Sequence, residues 1–170
     1  MDGILEEMIE EHAAHLLRLA YLYVKNRQTA EDIVQEVFIK FSQRGYEERG
    51  QLRAYLSTLT INQSKDYLKS WHYKKLLLQE KIFPVQGGNR QRDELVAAEE
   101  RSQIGGAAIL KLSLTYREPI ILYYFEEMKI RDIAQLLGIA ENTVKTRLKR
   151  AREALKSHLK QEEWEVLRHE

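Results

Sequence analysis

The chain has no cysteine, only 2 prolines and 8 glycines among its 170 residues, and no apolar run near the length of a membrane span. The absence of cysteine excludes disulfides, thiolate zinc sites and cysteine nucleophiles, and it is compatible with a reducing compartment. The scarcity of glycine and proline, with abundant Leu, Glu, Lys, Arg and Ala, is typical of a mostly helical protein. The acidic stretch at residues 1–11 is unlike a secretory signal peptide, which begins with basic residues.

The formal net charge is only +1, from 27 basic and 26 acidic side chains, which taken alone disfavours a nucleic-acid-binding protein. The charges are nevertheless segregated along the chain. Residues 143–160 hold seven basic side chains and one acidic one, whereas residues 1–11 hold five acids and residues 161–170 hold four acids and one base. On one helix the basic stretch would attract phosphate groups, although a charge run alone more often marks a solvated helix face.

Apolar residues recur at helical spacing in residues 4–24, 33–41 and 52–75, and again from residue 107. Residues 76–106 contain one proline and two glycine pairs and are interpreted as a linker that is partly helical near 93–104. No run alternates as a strand would. The predicted fold class is therefore all-α, with two small helical domains joined by the linker.

Two polar patterns predict where helices begin. Thr29 followed by Asp32, and Thr115 followed by Glu118, each have the spacing of a capping box. Pro119 is then expected in the first turn of its helix, where its missing N–H costs little.

Residues 130–150 have the pattern of a helix-turn-helix, with predicted helices at 130–137 and 141–160. Ala134 is small enough for two helices to approach closely, and Gly138 stands where the turn requires positive φ. The inward stripe of the second helix is predicted to be Val144, Leu148, Ala151 and Leu155. Its outward face is predicted to be Asn142, Thr143, Lys145, Thr146, Arg147, Lys149, Arg150 and Arg152, which suits base edges and phosphates.

These motifs together resemble a bacterial RNA polymerase sigma factor of the extracytoplasmic-function (ECF, group four) type in the sigma-70 family. Residues 114–126, 132–138 and 143–152 resemble the family's −35-binding domain. Residues 30–38 resemble its polymerase-binding helix, and residues 52–69 resemble its −10-element helix.

The resemblance implies a region 2-like domain over residues 1–76, a linker over 77–106 and a region 4-like helix-turn-helix domain over 107–170. It implies a non-enzymatic protein that binds core polymerase, recognises −10 and −35 promoter elements and aids promoter melting, for a stress or envelope regulon. It also implies that the loop near residues 45–50 helps to capture a flipped base of the non-template strand.

The resemblance assigns roles to individual residues in three groups. The −35 element would be contacted by Asn142, Thr143, Lys145, Thr146, Arg147, Lys149 and Arg150. The −10 element would be contacted by Asn62, Gln63, Lys65, Asp66 and Lys69. Core polymerase would be contacted by Asp32, Gln35, Glu36, Val37 and Phe38, which we expect to form an acidic and amide surface around an apolar anchor.

Four positions depart from the family's common residues. Lys129 and Ala140 stand where the family often has serine as a helix cap, so both helices would depend on packing. Thr60 and Lys69 stand where alanine and arginine are common in the −10 helix. The aromatic residues of the same helix are expected to pack mainly in the core: Tyr55, Tyr67 and Trp71.

The partners implied by the resemblance are promoter DNA and the polymerase core, through its largest-subunit clamp helices and its flap. Members of the family are usually held by an anti-sigma factor, often linked to a membrane. The resemblance implies no cofactor, no metal, no small-molecule substrate and a cytoplasmic location, at the nucleoid when in holoenzyme. Acidic linker residues are expected in the nucleic-acid channel of the polymerase: Asp93, Glu94, Glu99 and Glu100.

Three alternatives stay open at this point. A stand-alone regulator would share the helix-turn-helix but would need a receiver or ligand domain. An enzyme would need a site, and His12 and His15 near Glu7 and Glu11 are a conceivable metal pair, although surface histidines explain that spacing as well. A structural helical adaptor would leave the basic stretch and Gly138 unexplained.

Overall fold

The structure, a computed structural model, describes residues 2–44, 51–79 and 106–157. The chain divides into two units, Met1–Asp93 and Glu94–Glu170. The described residues form helices and no β-strand, which confirms the predicted all-α class. No helix in those ranges is long and apolar enough to cross a membrane. Most of the predicted linker lies outside the described residues, and its limits stay a prediction.

The described part of the first unit is a bundle in which each helix packs against the other two. Its helices are α1 (Asp2–Val24), α2 (Arg27–Arg44) and α3 (Leu52–Gln79), so α3 continues past the predicted end near residue 75. The largest fully buried side chains of this core are Leu16, Leu19, Leu22, Tyr23, Leu56 and Ile61. Burial of these side chains stabilises the bundle and so fixes the positions of α2 and α3, including their exposed faces.

The start of α2 differs from the prediction. Asn26 caps this helix, because its Oδ1 accepts a hydrogen bond of 2.9 Å from the N–H of Thr29. The backbone carbonyl of Asn26 accepts a further bond of 2.9 Å from the N–H of Ala30. The prediction that Thr29 is the N-cap is therefore wrong, since the helix already begins at Arg27.

The described part of the second unit is also helical, and its last helix packs against two others. Its elements are α4 (Gly106–Leu110), α5 (Leu114–Ile120), a π-helical turn (Ile121–Phe125), α6 (Ile130–Leu137) and α7 (Glu141–Lys156). Ile120, Ile121 and Leu122 are completely buried where α5 widens into the π-helical turn. These three consecutive residues anchor α5 in the unit, because they are enclosed on more than one side.

The start of α5 also differs from the prediction. Ser113 is the N-cap residue, in extended conformation and without a side-chain cap bond. Its carbonyl accepts hydrogen bonds from the N–H groups of Tyr116 and Arg117, at 3.0 and 2.8 Å. Thr115 is therefore already helical, the predicted capping box is wrong, and Pro119 lies in the second turn rather than the first.

The helix-turn-helix is confirmed. Gly138 has φ +66° and ends α6, and the N–H of Ile139 donates to the carbonyl of Ala134 at 3.1 Å. The predicted inward stripe of α7 is fully buried: Val144, Leu148, Ala151 and Leu155. The first helix has the predicted bounds, and residues 158–160, predicted as the end of the second, lie outside the described residues.

Both helix-turn-helix helices begin without a side-chain cap. Lys129 and Ala140 occupy the N-cap positions of α6 and α7 in extended conformation, and neither makes a side-chain cap bond. The backbone carbonyls still accept the first intrahelical bonds, from Ile133 and Val144 at 3.0 and 3.1 Å. As expected from their residue types, these helix starts depend on packing.

Candidate nucleic-acid and protein interfaces

The outer face of α2 is polar. Asp32, Gln35 and Glu36 are exposed, and Asp32 accepts a hydrogen bond of 3.3 Å from the Gln28 amide one turn earlier. Residues three and four apart are neighbours on a helix surface, so these side chains form one patch. The patch is acidic and amide-rich, which suits a basic partner helix.

The apolar members of the predicted polymerase group do not belong to this patch. Val37 is 1% exposed and Phe38 is 7% exposed, so neither offers much surface to a partner in the free protein. They therefore position α2 rather than serving as an apolar anchor for a partner, as the sequence analysis had expected.

Ile39 takes the place of that anchor, and sequence reasoning missed it. Its side chain is 48% exposed, and it follows Gln35 by four residues and Glu36 by three. A large aliphatic side chain thus lies at the C-terminal end of the polar patch, one turn after Gln35 and Glu36, where an apolar anchor could contribute to binding. The spacing of the residues could have identified it. Ile39 follows Asp32 by seven residues, or about two helical turns, so both lie on the same face of α2 and outside its buried stripe.

An apolar groove runs beside this patch, between α1 and α2. Its volume is about 460 Å³, and Ile39 and Phe38 form part of its α2 wall. The α1 wall is formed by Leu5, Ile9, Ala13, Ala14 and Leu17. Glu31 and Gln35 stand at its rim. The polar patch and the groove are therefore parts of one continuous surface of the first unit.

The predicted −10 residues lie on different sides of α3. Asn62, Asp66 and Lys69 are exposed, and their spacing of four and three places them on one face. Lys65 is half-buried beside that face. Thr60 is fully buried and donates its hydroxyl to the carbonyl of Leu56 at 2.8 Å, so this departure from the family's common alanine does not reach the surface.

Gln63 belongs to a network between α3 and α2. Its amide Nε2 donates to the Glu36 carboxylate at 2.9 Å, and its Oε1 accepts from Lys40 Nζ at 2.7 Å. Lys40 also pairs with Glu36 at 3.1 Å, which closes the triangle. The structure thus joins one predicted −10 residue to one predicted polymerase residue.

The aromatic side chains of α3 are more exposed than predicted. Tyr55 is 39% exposed and Trp71 is 44% exposed, whereas Tyr67 is half-buried, so the expectation of a core role fails for the first two. Trp71 follows Asn62 by nine residues, or two and a half turns, and so projects from the opposite side of α3. The Nζ of Lys75 lies 5.0 Å from the Trp71 ring centroid, which is a cation–π distance.

The outward face of α7 carries the predicted −35 residues. Asn142, Lys145, Thr146, Lys149 and Arg150 are exposed, and Thr143 and Arg147 are half-buried. The Thr146 hydroxyl donates to the carbonyl of Asn142 at 2.9 Å, so this hydroxyl is bonded back onto its own helix. The face is polar at its start and basic along its length, and none of the seven side chains is acidic.

Arg152 differs from the other basic residues of α7. Its Nε donates to the Tyr124 hydroxyl at 2.7 Å, and its guanidinium lies 5.8 and 5.7 Å from the Tyr123 and Tyr124 ring centroids. Its charge is thus partly used in cation–π contact within the unit. Arg152 therefore packs against the π-helical turn, although it falls on the predicted outward face of α7.

The two N-terminal histidines are not surface residues. His12 is 8% exposed, and His15 is half-buried, with its ring nitrogens 3.4 Å from Arg53 and from Ser57 of α3. The described residues contain no cluster of His, Asp and Glu that could hold a metal. His15 therefore contributes to the packing of α1 on α3, and the interpretation of both histidines as surface residues is wrong for buried His12.

Several predicted features lie outside the described residues. They are the loop at residues 45–50 and the acidic linker residues Asp93, Glu94, Glu99 and Glu100.

Two family models match parts of the chain. Residues 8–72 match the family model for Sigma-70 region 2. Residues 106–155 match the model for Sigma-70, region 4. The first match includes the faces of α2 and α3, and the second includes the helix-turn-helix.

Named relatives match over nearly the whole chain. RNA polymerase sigma factor SigV of Bacillus subtilis is 30% identical over 95% of this chain and 94% of that protein. ECF RNA polymerase sigma factor SigL of Mycobacterium tuberculosis is 31% identical over 94% and 90%. The fold is similar to that of the sigma factor RpoE from Bartonella quintana, solved with the anti-sigma factor NepR, at TM-score 0.61 and 24% identity over 89% of this chain and 96% of that one. The chain therefore belongs to the sigma-70 family of RNA polymerase sigma factors and is of the ECF type.

Proposed function

We propose that the second unit recognises the −35 promoter element through the outward face of α7. The observation that carries this proposal is the continuous polar and basic face opposite a fully buried stripe. Lysine and arginine can bond guanine O6 and N7, and asparagine can bond adenine N6 and N7. The side chains that contact the element are Asn142, Lys145, Thr146, Lys149 and Arg150, with Thr143 and Arg147 at the edge of the face.

The first unit recognises the −10 element through the exposed side of α3. Asn62, Asp66 and Lys69 share that side, with Lys65 beside it and Gln63 turned toward α2. Amide and charged groups can hold the edges and backbone of a separated strand. A protein that binds unpaired bases more tightly than paired ones shifts the duplex toward melting without ATP.

Core polymerase binds the outer face of α2. Asp32, Gln35 and Glu36 provide hydrogen-bond acceptors and an amide, and Ile39 provides an apolar side chain at the end of the patch. A basic clamp helix of the largest subunit would pair with this patch and bury Ile39.

The protein acts as a regulatory subunit, as sigma factors do, rather than as a catalyst. It needs no cofactor, metal or small-molecule substrate for this role. We place it in the cytoplasm, at the nucleoid when in holoenzyme, because the partner it binds there is promoter DNA. An anti-sigma factor is its further partner, as in the solved complex of the related fold with NepR.

Run-off transcription tests this function. Purified core polymerase is supplied with the full chain and a library of genomic promoter fragments, and discrete transcripts should appear only when the chain is present. Absence of any specific initiation would overturn the proposal. A stand-alone regulator is not favoured, because the first unit matches region 2 of the family.

A further inference from the structure

A polar cleft of about 420 Å³ lies in the second unit between the first turn of α5 and the recognition helix α7. Two of its lining residues, Thr115 and Tyr116, come from α5 and belong to none of the predicted DNA-binding positions. The α7 wall includes Thr146, Arg147 and Arg150. The cleft thus adjoins the proposed −35 surface, and α5 contributes two of its seven lining residues.

The chemistry of the cleft is that of an anion site. Two guanidinium groups and several hydroxyl groups line it, and none of the seven described residues that form it is acidic. Arg147 is half-buried and Arg150 is exposed. Guanidinium groups bond the oxygens of a phosphate in a fixed fork, and hydroxyl groups add single hydrogen bonds.

The cleft also divides the face of α7 into two parts. Arg147 and Arg150 are three residues apart and both turn toward α5, whereas Lys145 and Lys149 do not line the cleft. A strand of duplex whose bases met Lys145 and Lys149 would bring its sugar-phosphate backbone toward the α5 edge.

We propose that this cleft holds a backbone phosphate of the −35 duplex, with Thr115 and Tyr116 of α5 as phosphate ligands beside Arg147 and Arg150. The inference rests on the proposed binding of the −35 element and adds to it a sequence-independent contact from outside the recognition helix. Such a contact fixes the position of α7 on the groove and contributes affinity without reading bases.

The test uses holoenzyme formed with the full chain and two labelled promoter duplexes, one with the −35 element intact and one with its bases substituted. Thr115→Val and Tyr116→Phe each remove one hydroxyl from the cleft. Each should weaken both duplexes by the same factor, about three- to tenfold. Lys145→Ala should instead weaken mainly the intact duplex. Tyr123→Phe, at a half-buried tyrosine outside the cleft, is the matched control and should bind as wild type.

Salt dependence gives a second readout. Arg147→Gln should lower the slope of log affinity against log salt concentration by about one, because one phosphate contact is lost. An unchanged slope would mean that Arg147 contacts no phosphate, and the backbone assignment would be wrong.

Two further outcomes would overturn the inference. One is wild-type binding by both hydroxyl variants, and the other is a loss confined to the intact −35 duplex, which would mean base reading. Failure of the proposed function itself looks different, since wild-type holoenzyme would then fail to distinguish the two duplexes.

Discussion

Gln63 of α3 donates a hydrogen bond of 2.9 Å to the carboxylate of Glu36 on α2. The two side chains are 27 residues apart in sequence and belong to different proposed surfaces, one for the −10 strand and one for polymerase. Lys40 bonds both of them, at 2.7 and 3.1 Å. The orientation of an amide proposed to contact the −10 strand is therefore set by a residue of the proposed polymerase-binding patch.

Substitution of Glu36 should consequently affect two activities. Glu36→Ala removes an acceptor for the polymerase and also releases the Gln63 amide, so −10 binding by the assembled holoenzyme should fall by about three- to tenfold. Asp32→Ala is the matched control, because Asp32 lies on the same patch but bonds Gln28 of its own helix. It should weaken polymerase binding alone.

Two measurements separate these effects. Affinity for core polymerase is measured by competition, and affinity for a labelled −10 non-template strand is measured by anisotropy with enough protein to saturate the polymerase. Equal −10 affinity for Glu36→Ala and Asp32→Ala would show that the Gln63 bond has no influence on strand binding.

Ile39→Ala should lower affinity for core polymerase by about 1–2 kcal/mol, because a half-exposed aliphatic side chain at the end of a binding patch is lost. Stability should change little, since the side chain is 48% exposed in the free protein. Ile4→Ala is the matched control at a 70% exposed isoleucine of α1 that does not line the groove. Titration calorimetry with core polymerase measures both variants, and equal losses would refute the anchor role.

Lys145→Ala should weaken promoters that depend on the −35 element by about 1–3 kcal/mol, because one good contact to a base edge is removed. Its affinity for core polymerase should stay at the wild-type value, since α7 carries no part of the polymerase patch. Abortive initiation on promoters with and without a −35 element measures the effect. The control is Lys111→Ala, an exposed lysine outside α7. If both variants behave alike, the recognition role of Lys145 is lost.

The helix-turn-helix could be predicted from sequence because its constraints are local. The spacing of Val144, Leu148 and Ala151 identifies the buried side of α7, and a single glycine at 138 identifies the turn. Helix starts were predicted less well where two possible capping residues lie within a few positions of each other. Asn26 and Thr29, and likewise Ser113 and Thr115, are all good capping residues, and packing decides between them.

The polymerase patch was predicted only in part, for reasons of helical phase. Val37 and Phe38 directly follow Glu36 in sequence, but successive residues are about 100° apart on a helix, so they turn into the core. The network of Gln63 with Glu36 and Lys40 depends on the packing of α3 against α2. No local pattern in the sequence contains that information.

Gly138→Ala should destabilise the second unit by about 1–2 kcal/mol, because a residue with a Cβ is strained at φ +66°. No atom lies within 4 Å of the added methyl group, so the loss arises from the backbone alone. Gly3→Ala is the matched control, with equal open space but a helical position in α1. It should leave stability unchanged or raise it slightly. Urea unfolding measures both, and an equal response would contradict the assignment of strain.

Ala140→Ser should stabilise the second unit by about 0.5–1 kcal/mol, because a serine hydroxyl at an N-cap accepts a hydrogen bond from the second or third helical N–H. Ala140 already has the extended conformation that a cap requires, at φ −68° and ψ 149°, and makes no such bond itself. The matched control is Ala154→Ser, at an exposed position within the same helix, where serine is a poorer helix former than alanine. The midpoint of urea unfolding should rise for the first variant and fall slightly for the second. A fall for both would mean that the turn at residues 138–140 holds the start of α7 too rigidly for a hydroxyl to reach the free N–H groups.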